Sequence, residues 1–178
     1  VYPDFHESIY LMGPPPRGKA VGGVDFGFRN PFAAVWGVLD HDGVLWIERV
    51  RYLRETLLRD HARWMLSKCP RNTDWYADPA GADQIAELRA SGLTVRRGNN
   101  DIMLGILAVT ARLRTGTLKV RETTCQHLIS EAKLYRYPDQ SERDILGESP
   151  VDDNNHALGA LRYLVSRLDH RFMCQERR

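Results

Sequence analysis

The order of elements along the 178-residue chain predicts an α/β fold. It would hold one mixed sheet, three antiparallel strands followed by parallel strands, flanked by helices. Three observations carry this expectation. Three short apolar runs between residues 21 and 52 are separated by turn-like stretches. Beyond residue 55 the apolar spacing becomes helical and alternates with brief apolar runs. The composition, 43% hydrophobic and 27% charged, is that of a globular domain large enough for a full core.

Residues 1–19 carry prolines and no period, so they read as an extended lead-in arm. Val21–Phe26 is a short strand with glycines, followed by the turn Gly27-Phe28-Arg29-Asn30-Pro31. Phe32–Leu39 reads as a buried strand, and Asp42-Gly43 is a hairpin signal. Val44–Tyr52 alternates and closes an antiparallel meander. Then come a helix over Glu55–Lys68, a strand over Asp74–Ala77, and a helix over Ala82–Ala90 stopped by Gly92. A strand over Leu93–Arg96, a helix over Asp101–Leu113, a brief strand over Leu118–Val120 and a helix over Thr124–Tyr135 follow. Pro138–Pro150 is polar and loop-like, and Asn154–Asp169 is an amphipathic helix. This order matches a ribonuclease-H-like domain over residues 20–170, leaving 171–178 as a basic tail.

The bulk numbers exclude several classes. A net charge of +2 gives no global field for a polyanion, so any DNA surface must be local. No apolar run reaches the roughly 18 residues of a membrane span, and no signal-peptide pattern opens the chain. Cys69, Cys125 and Cys174 form no C-x-x-C pair, which argues against a zinc site or a disulfide framework and fits a reducing compartment. The chain begins at Val1 rather than Met, as a piece of a longer protein would. Gly13-Pro14-Pro15-Pro16-Arg17-Gly18-Lys19-Ala20 imitates a phosphate-binding P-loop and fails on mechanism: three prolines have no N–H to offer and Ala20 has no hydroxyl.

In the predicted architecture, the first strand and the first parallel strand lie side by side, and each ends on an aspartate. Asp25 is late in the first; Asp78 follows the fourth, in Tyr76-Ala77-Asp78-Pro79-Ala80-Gly81. Carboxylates at adjacent strand ends suit Mg²⁺ or Mn²⁺, and a pair of such ions can drive phosphodiester hydrolysis. The plainer readings are that Asp25 caps the following turn and that Asp78 makes an Asx-turn or caps a helix. A third acid belongs near the start of the last helix, where Asp152, Asp153 and His156 stand. His156 is a candidate ligand or proton shuttle, while Asp153 or Asn154 also suits a helix cap.

These stretches together resemble the nuclease domain of tailed-phage large terminase subunits. The resemblance runs through Gly23-Val24-Asp25-Phe26-Gly27-Phe28-Arg29-Asn30-Pro31-Phe32, Tyr76-Ala77-Asp78-Pro79-Ala80 and Asn155-His156-Ala157-Leu158-Gly159-Ala160-Leu161-Arg162-Tyr163. It also takes in Val1–Phe5, the stretch from Gly98 to Ile106, and Glu131 to Pro138, and so covers nearly the whole chain. It implies a metal-dependent endonuclease that cuts concatemeric double-stranded phage DNA in the host cytoplasm, using two Mg²⁺ or Mn²⁺ ions. It implies as partners an ATPase half N-terminal to this segment, the small terminase subunit and the portal protein. Asp25 and Asp78 match the first two metal-binding aspartates of the family. The third matches Gly159, a departure, since the family has Asp there and this chain keeps only His156. Asp152 or Asp153 would have to replace it. On a regular helix Asp152 would lie nearly on the face of Gly159 but about 10 Å away, so the loop would fold back.

For DNA contact the candidates are Arg29, Arg96 and Arg97, beside the Pro138–Pro150 loop; most other basic residues suit solvated helix faces. Three other functions compete. An actin-like small-molecule kinase needs a second related half, for which the chain has no room. A junction resolvase shares the carboxylate logic and differs in preferring branched DNA. A degenerate module that grips DNA or docks the portal is kept open by Gly159.

Overall fold

The structure, a computed structural model, describes residues 1–10, 13–141, 149–151 and 155–169. Its centre is the expected meander. Strands β2 (Gly18–Asp25), β3 (Phe32–Asp40) and β4 (Leu45–Leu53) pair antiparallel in order. The hairpin between β3 and β4 is built by Asp40, whose Oδ1 accepts from the Asp42 and Val44 amides and whose Oδ2 accepts from the Trp46 indole. Gly43 takes the left-handed conformation the turn requires, with φ of 79°. A two-residue strand β1 (Ile9–Tyr10) lies at one edge of the sheet. Helices α1 (Leu58–Lys68), α2 (Ala82–Ala90) and α3 (Ile102–Arg114) alternate with β5 (Asp74–Ala77), β6 (Thr94–Arg97) and β7 (Leu118–Arg121). Helices α4 (Gln126–Leu134) and α5 (His156–Leu168) end the described chain. The sheet runs β1-β7-β4-β3-β2-β5-β6, with β5 and β6 parallel to β2 and with β7 parallel to β4. This is the mixed sheet flanked by helices that the sequence predicts.

Residue alternation along each strand divides the core in two. Val21, Ala33, Val35 and Ile47 face a cluster with α3, α4 and α5. Val24, Phe32, Ala34 and Trp75 face a second cluster with α1 and α2. By the same alternation Gly23 and Asp25 belong to the α5 face. At Gly23 the helix comes close enough to need a missing side chain: a Cβ there would lie 1.9 Å from the Ala160 carbonyl oxygen. Helix α5 therefore rests directly on the backbone of β2, two residues from Asp25.

The lead-in differs from the extended arm expected of its prolines. Pro3–Ser8 form a 3₁₀ turn, Ile9–Tyr10 pair in parallel with Val120–Arg121, and Lys19 already belongs to β2. Tyr2 and Phe5 are buried, and the Val1 amino group donates to the Tyr135 carbonyl at 2.7 Å. Burying two aromatic rings, each worth about 1.5–3 kcal/mol, outweighs the local preference for extended chain. Glu48, buried on β4, accepts from Tyr10 Oη and from Arg121 Nε, while Arg121 Nη2 donates to the Gly13 carbonyl. The segment that imitates a P-loop thus runs into strand β2 at Gly18 rather than into a helix. Helix α1 begins at Leu58 rather than Glu55, because Glu55 adopts φ of 50° and Leu57 is extended. The basic tail at 171–178 lies outside the described residues, and so do Arg143 and Cys174.

Under α1, His61 is buried, stacked on Phe32 at 3.8 Å, and accepts from Arg51 Nε at 2.8 Å through Nδ1. Burial, helped by the Arg51 charge, pushes its pKa down to about 4. The folded state therefore resists the proton that the unfolded chain takes up below about pH 6.5. Stability falls by up to about 3 kcal/mol as pH drops from that value toward 4. Thermal unfolding at pH 7 and pH 4.5 should show a larger loss of Tm in the native chain than in His61→Gln.

Candidate metal centre

Two strand ends make the site. Asp25 closes β2, and Asp78 follows β5, whose Ala77 is paired with Val24. The Asp78 amide continues the ladder by donating to the Val24 carbonyl at 3.0 Å. One further step in register sets Asp78 beside Asp25 on the same face of the sheet. The sequence gives Asp78 a second task, and the structure shows it: Oδ1 accepts from the Ala80 amide at 2.9 Å, an Asx-turn that leads through Pro79 into α2.

The third contributor comes from α5. His156 Nδ1 lies 2.9 Å from Asp25 Oδ2, a contact that joins residues 131 apart in the chain. Both side chains are mostly shielded, 15% and 23% exposed for Asp25 and His156. Burial pushes the Asp25 carboxyl above the usual range; Asp78 adds to this, while His156 and Arg162 oppose it. A desolvated carboxylate beside a second carboxylate is a place where added positive charge is favourable.

Gly159, one turn along α5, faces the same carboxylate. A Cβ there would sit 3.4 Å from Asp25 Cγ and 3.5 Å from Oδ1, an ordinary contact. The helix position singled out for a missing acid therefore points at Asp25, and the space admits a Cβ. Asp152 and Asp153, the expected replacements, lie outside the described residues. Among the described residues no group of three His, Cys, Asp or Glu closes tightly enough to grip an ion. Asp25 and Asp78 supply hard oxygen donors, a pair rather than a full ligand set, so holding one ion or two would need further ligands.

Two residues that sequence reasoning did not single out lie close to these strand ends or to the helix that meets them. Tyr163 lies on the His156–Gly159 stripe of α5; burial first, then the charge of Asp78, push its phenol pKa up. Glu131 of α4, buried in the core, accepts from the Leu158 amide at 2.9 Å and so caps the first turn of α5 from a neighbouring helix. The spacing of 156, 159 and 163 is a signal for Tyr163; nothing local in the sequence marks Glu131 as a cap.

The arginines divide. Arg97 is paired with Ala77, one residue from Asp78, and is exposed. Arg29 is exposed on the β2–β3 loop beyond Asp25. Arg96 leans back toward Asp74 at 3.8 Å, near the far end of β5, where Lys19 also binds that carboxylate at 2.6 Å.

The fold is shared with solved phage proteins. The chain is similar to the large terminase of a thermophilic bacteriophage, with TM-score 0.82 and 23% identity over 94% of this chain. It spans 44% of that protein's length. The P22 large terminase nuclease domain superposes with TM-score 0.76 and 18% identity, covering 94% of this chain and 89% of that one. The nuclease domain of the bacteriophage SPP1 large terminase, solved with bound Mn, superposes with TM-score 0.72 and 16% identity, covering 90% and 97%. No protein-family model matches the sequence, and no curated protein is significantly similar to it.

Proposed function

We propose that the chain is the nuclease part of a phage large terminase, a metal-dependent endonuclease that cuts double-stranded concatemeric DNA. The observation that carries this reading is the meeting of Asp25, Asp78 and His156 at one sheet edge, from strands and a helix far apart in sequence. The fold shared with terminase nuclease domains supports it. Asp25 and Asp78 would hold a Mg²⁺ or Mn²⁺ ion. Such an ion, when bound, activates water and offsets charge gathering on the phosphodiester. His156, bonded to Asp25, fixes the orientation of that carboxylate and is placed to move a proton. Arg29, exposed on the loop beyond Asp25, would meet backbone phosphates without reading sequence; Arg97, expected beside it, lies on the opposite face of the sheet. A second ion would need Asp152 or Asp153. The partners of this reading are an N-terminal ATPase half, the small subunit and the portal, and its compartment is the host cytoplasm. Among the described residues no helix is long and apolar enough to cross a membrane.

Gly159 favours a second reading, a domain that has lost cutting and keeps only a grip on DNA. Cleavage of supercoiled plasmid with Mn²⁺, Mg²⁺ or EDTA decides between them. Metal-dependent nicking abolished by EDTA is expected; no cutting by the folded chain with either metal favours the second reading. In the same series Gly159→Asp adds a carboxylate on a Cβ that itself meets Asp25 only at ordinary contact distance, 3.4 Å. It should lower the Tm of the metal-free chain by crowding Asp25, and raise Mn²⁺ affinity by roughly tenfold.

A further inference from the structure

We propose that Phe28, with Leu53 and Leu57 beside it, is a platform on which unpaired bases of the DNA stack next to the metal centre. The inference rests on the nuclease reading above and adds a substrate contact to it.

Three large apolar side chains are left in water at this edge of the sheet: Phe28 at 53% exposure, Leu53 at 45% and Leu57 at 48%. They come from two connections stitched together. The Glu55 amide donates to the Phe28 carbonyl at 2.8 Å, which places Leu53 and Leu57 two residues to either side of the joint. Glu55 holds a left-handed conformation to make the bend, with φ of 50°. The β2–β3 loop is equally constrained: a Cβ on Gly27 would lie 2.5 Å from the carbonyl oxygens of Asn30 and Pro31. Within that loop the aromatic residues take opposite directions. Phe26 folds inward, against Phe32 at 6.4 Å and over Gly81, whereas Phe28 stays outside. The exposed ring is therefore held out by a tight turn three residues from Asp25.

The surroundings match one class of occupant. Arg29, Arg54 and Arg59 are exposed around the patch, against the exposed acid Glu55 and the half-buried Asp60, which is engaged with Arg63 at 3.2 Å. An apolar ring bordered by exposed guanidinium groups suits a polyanion with flat faces. Bases in intact duplex are stacked on each other and give a ring no face to cover, so the platform should favour single-stranded or frayed segments.

Fluorescence anisotropy on the full chain in EDTA, with labelled single strands and blunt duplexes of about 20 nucleotides, tests this. Phe28→Ala should weaken single-strand binding by roughly fivefold or more and change duplex binding by less than about twofold, while Phe28→Trp retains the native affinity. Single-strand binding by Phe28→Ala equal to the native chain overturns the platform and leaves the nuclease reading standing. An equal loss on both DNAs also overturns it, in favour of a groove contact on duplex. No binding of either DNA by the native chain overturns the platform and the DNA-cutting reading together.

Discussion

Asp25→Asn should reduce metal-dependent plasmid cleavage by roughly a thousandfold, since an ion contributes several kcal/mol to such a reaction and each 1.36 kcal/mol or so is tenfold. The substitution keeps the shape of the side chain and removes its charge. The amide can still meet His156, so the fold should persist, and the loss should appear in Mn²⁺ binding by calorimetry as well as in rate. Unfolding at the native temperature with unchanged Mn²⁺ affinity would place the ion elsewhere. Cleavage near the native rate would remove Asp25 from the chemistry altogether.

The second large effect lies under the site. Gly23→Ala puts a Cβ 1.9 Å from the Ala160 carbonyl oxygen and 2.8 Å from its carbon, both backbone atoms of α5. No rotamer relieves this, so the helix must lift from β2, at a cost of about 3 kcal/mol or more. His156 rides on that helix, so cleavage should fall even in the fraction that folds. Gly159→Ala is the matched control. It meets only the Asp25 carboxylate, at 3.4 Å or beyond, and gains up to about 1 kcal/mol of helix propensity. A Tm for Gly23→Ala equal to that of the native chain would contradict the close packing of α5 on β2.

Much of this architecture was legible because the signals are local. The β2–β3–β4 meander shows in its alternation and in Asp42-Gly43, and the strand over Asp74–Ala77 and the helix over Ala82–Ala90 coincide with their predicted bounds. The strand-end positions of Asp25 and Asp78 were legible because strand ends and turns leave marks in sequence. What escaped was set by distant contacts. β1 is two residues long and exists because Val120 and Arg121 lie beside it. Tyr2 and Phe5 look like residues of an arm until α3 and α4 are in place to cover them. Glu131 becomes a cap only when the first turn of α5 packs against α4. Arg96 and Arg97 read as a pair, yet adjacent strand residues point to opposite faces: Arg96 shares the face of Asp74 and leans on it, while Arg97, paired with Ala77, falls on the α1–α2 face, opposite the Asp25 carboxylate.

The 131-residue separation between Asp25 and His156 also has a bearing on when the site comes into being. The meander can form from neighbouring hairpins early, but the carboxylate waits for a helix more than a hundred residues further along the chain. A chain still on the ribosome, with α5 not yet emerged, holds a largely built sheet and an unfinished centre. The constellation is then late to assemble: a chain that stopped before His156 would carry both aspartates without the ring nitrogen that meets Asp25.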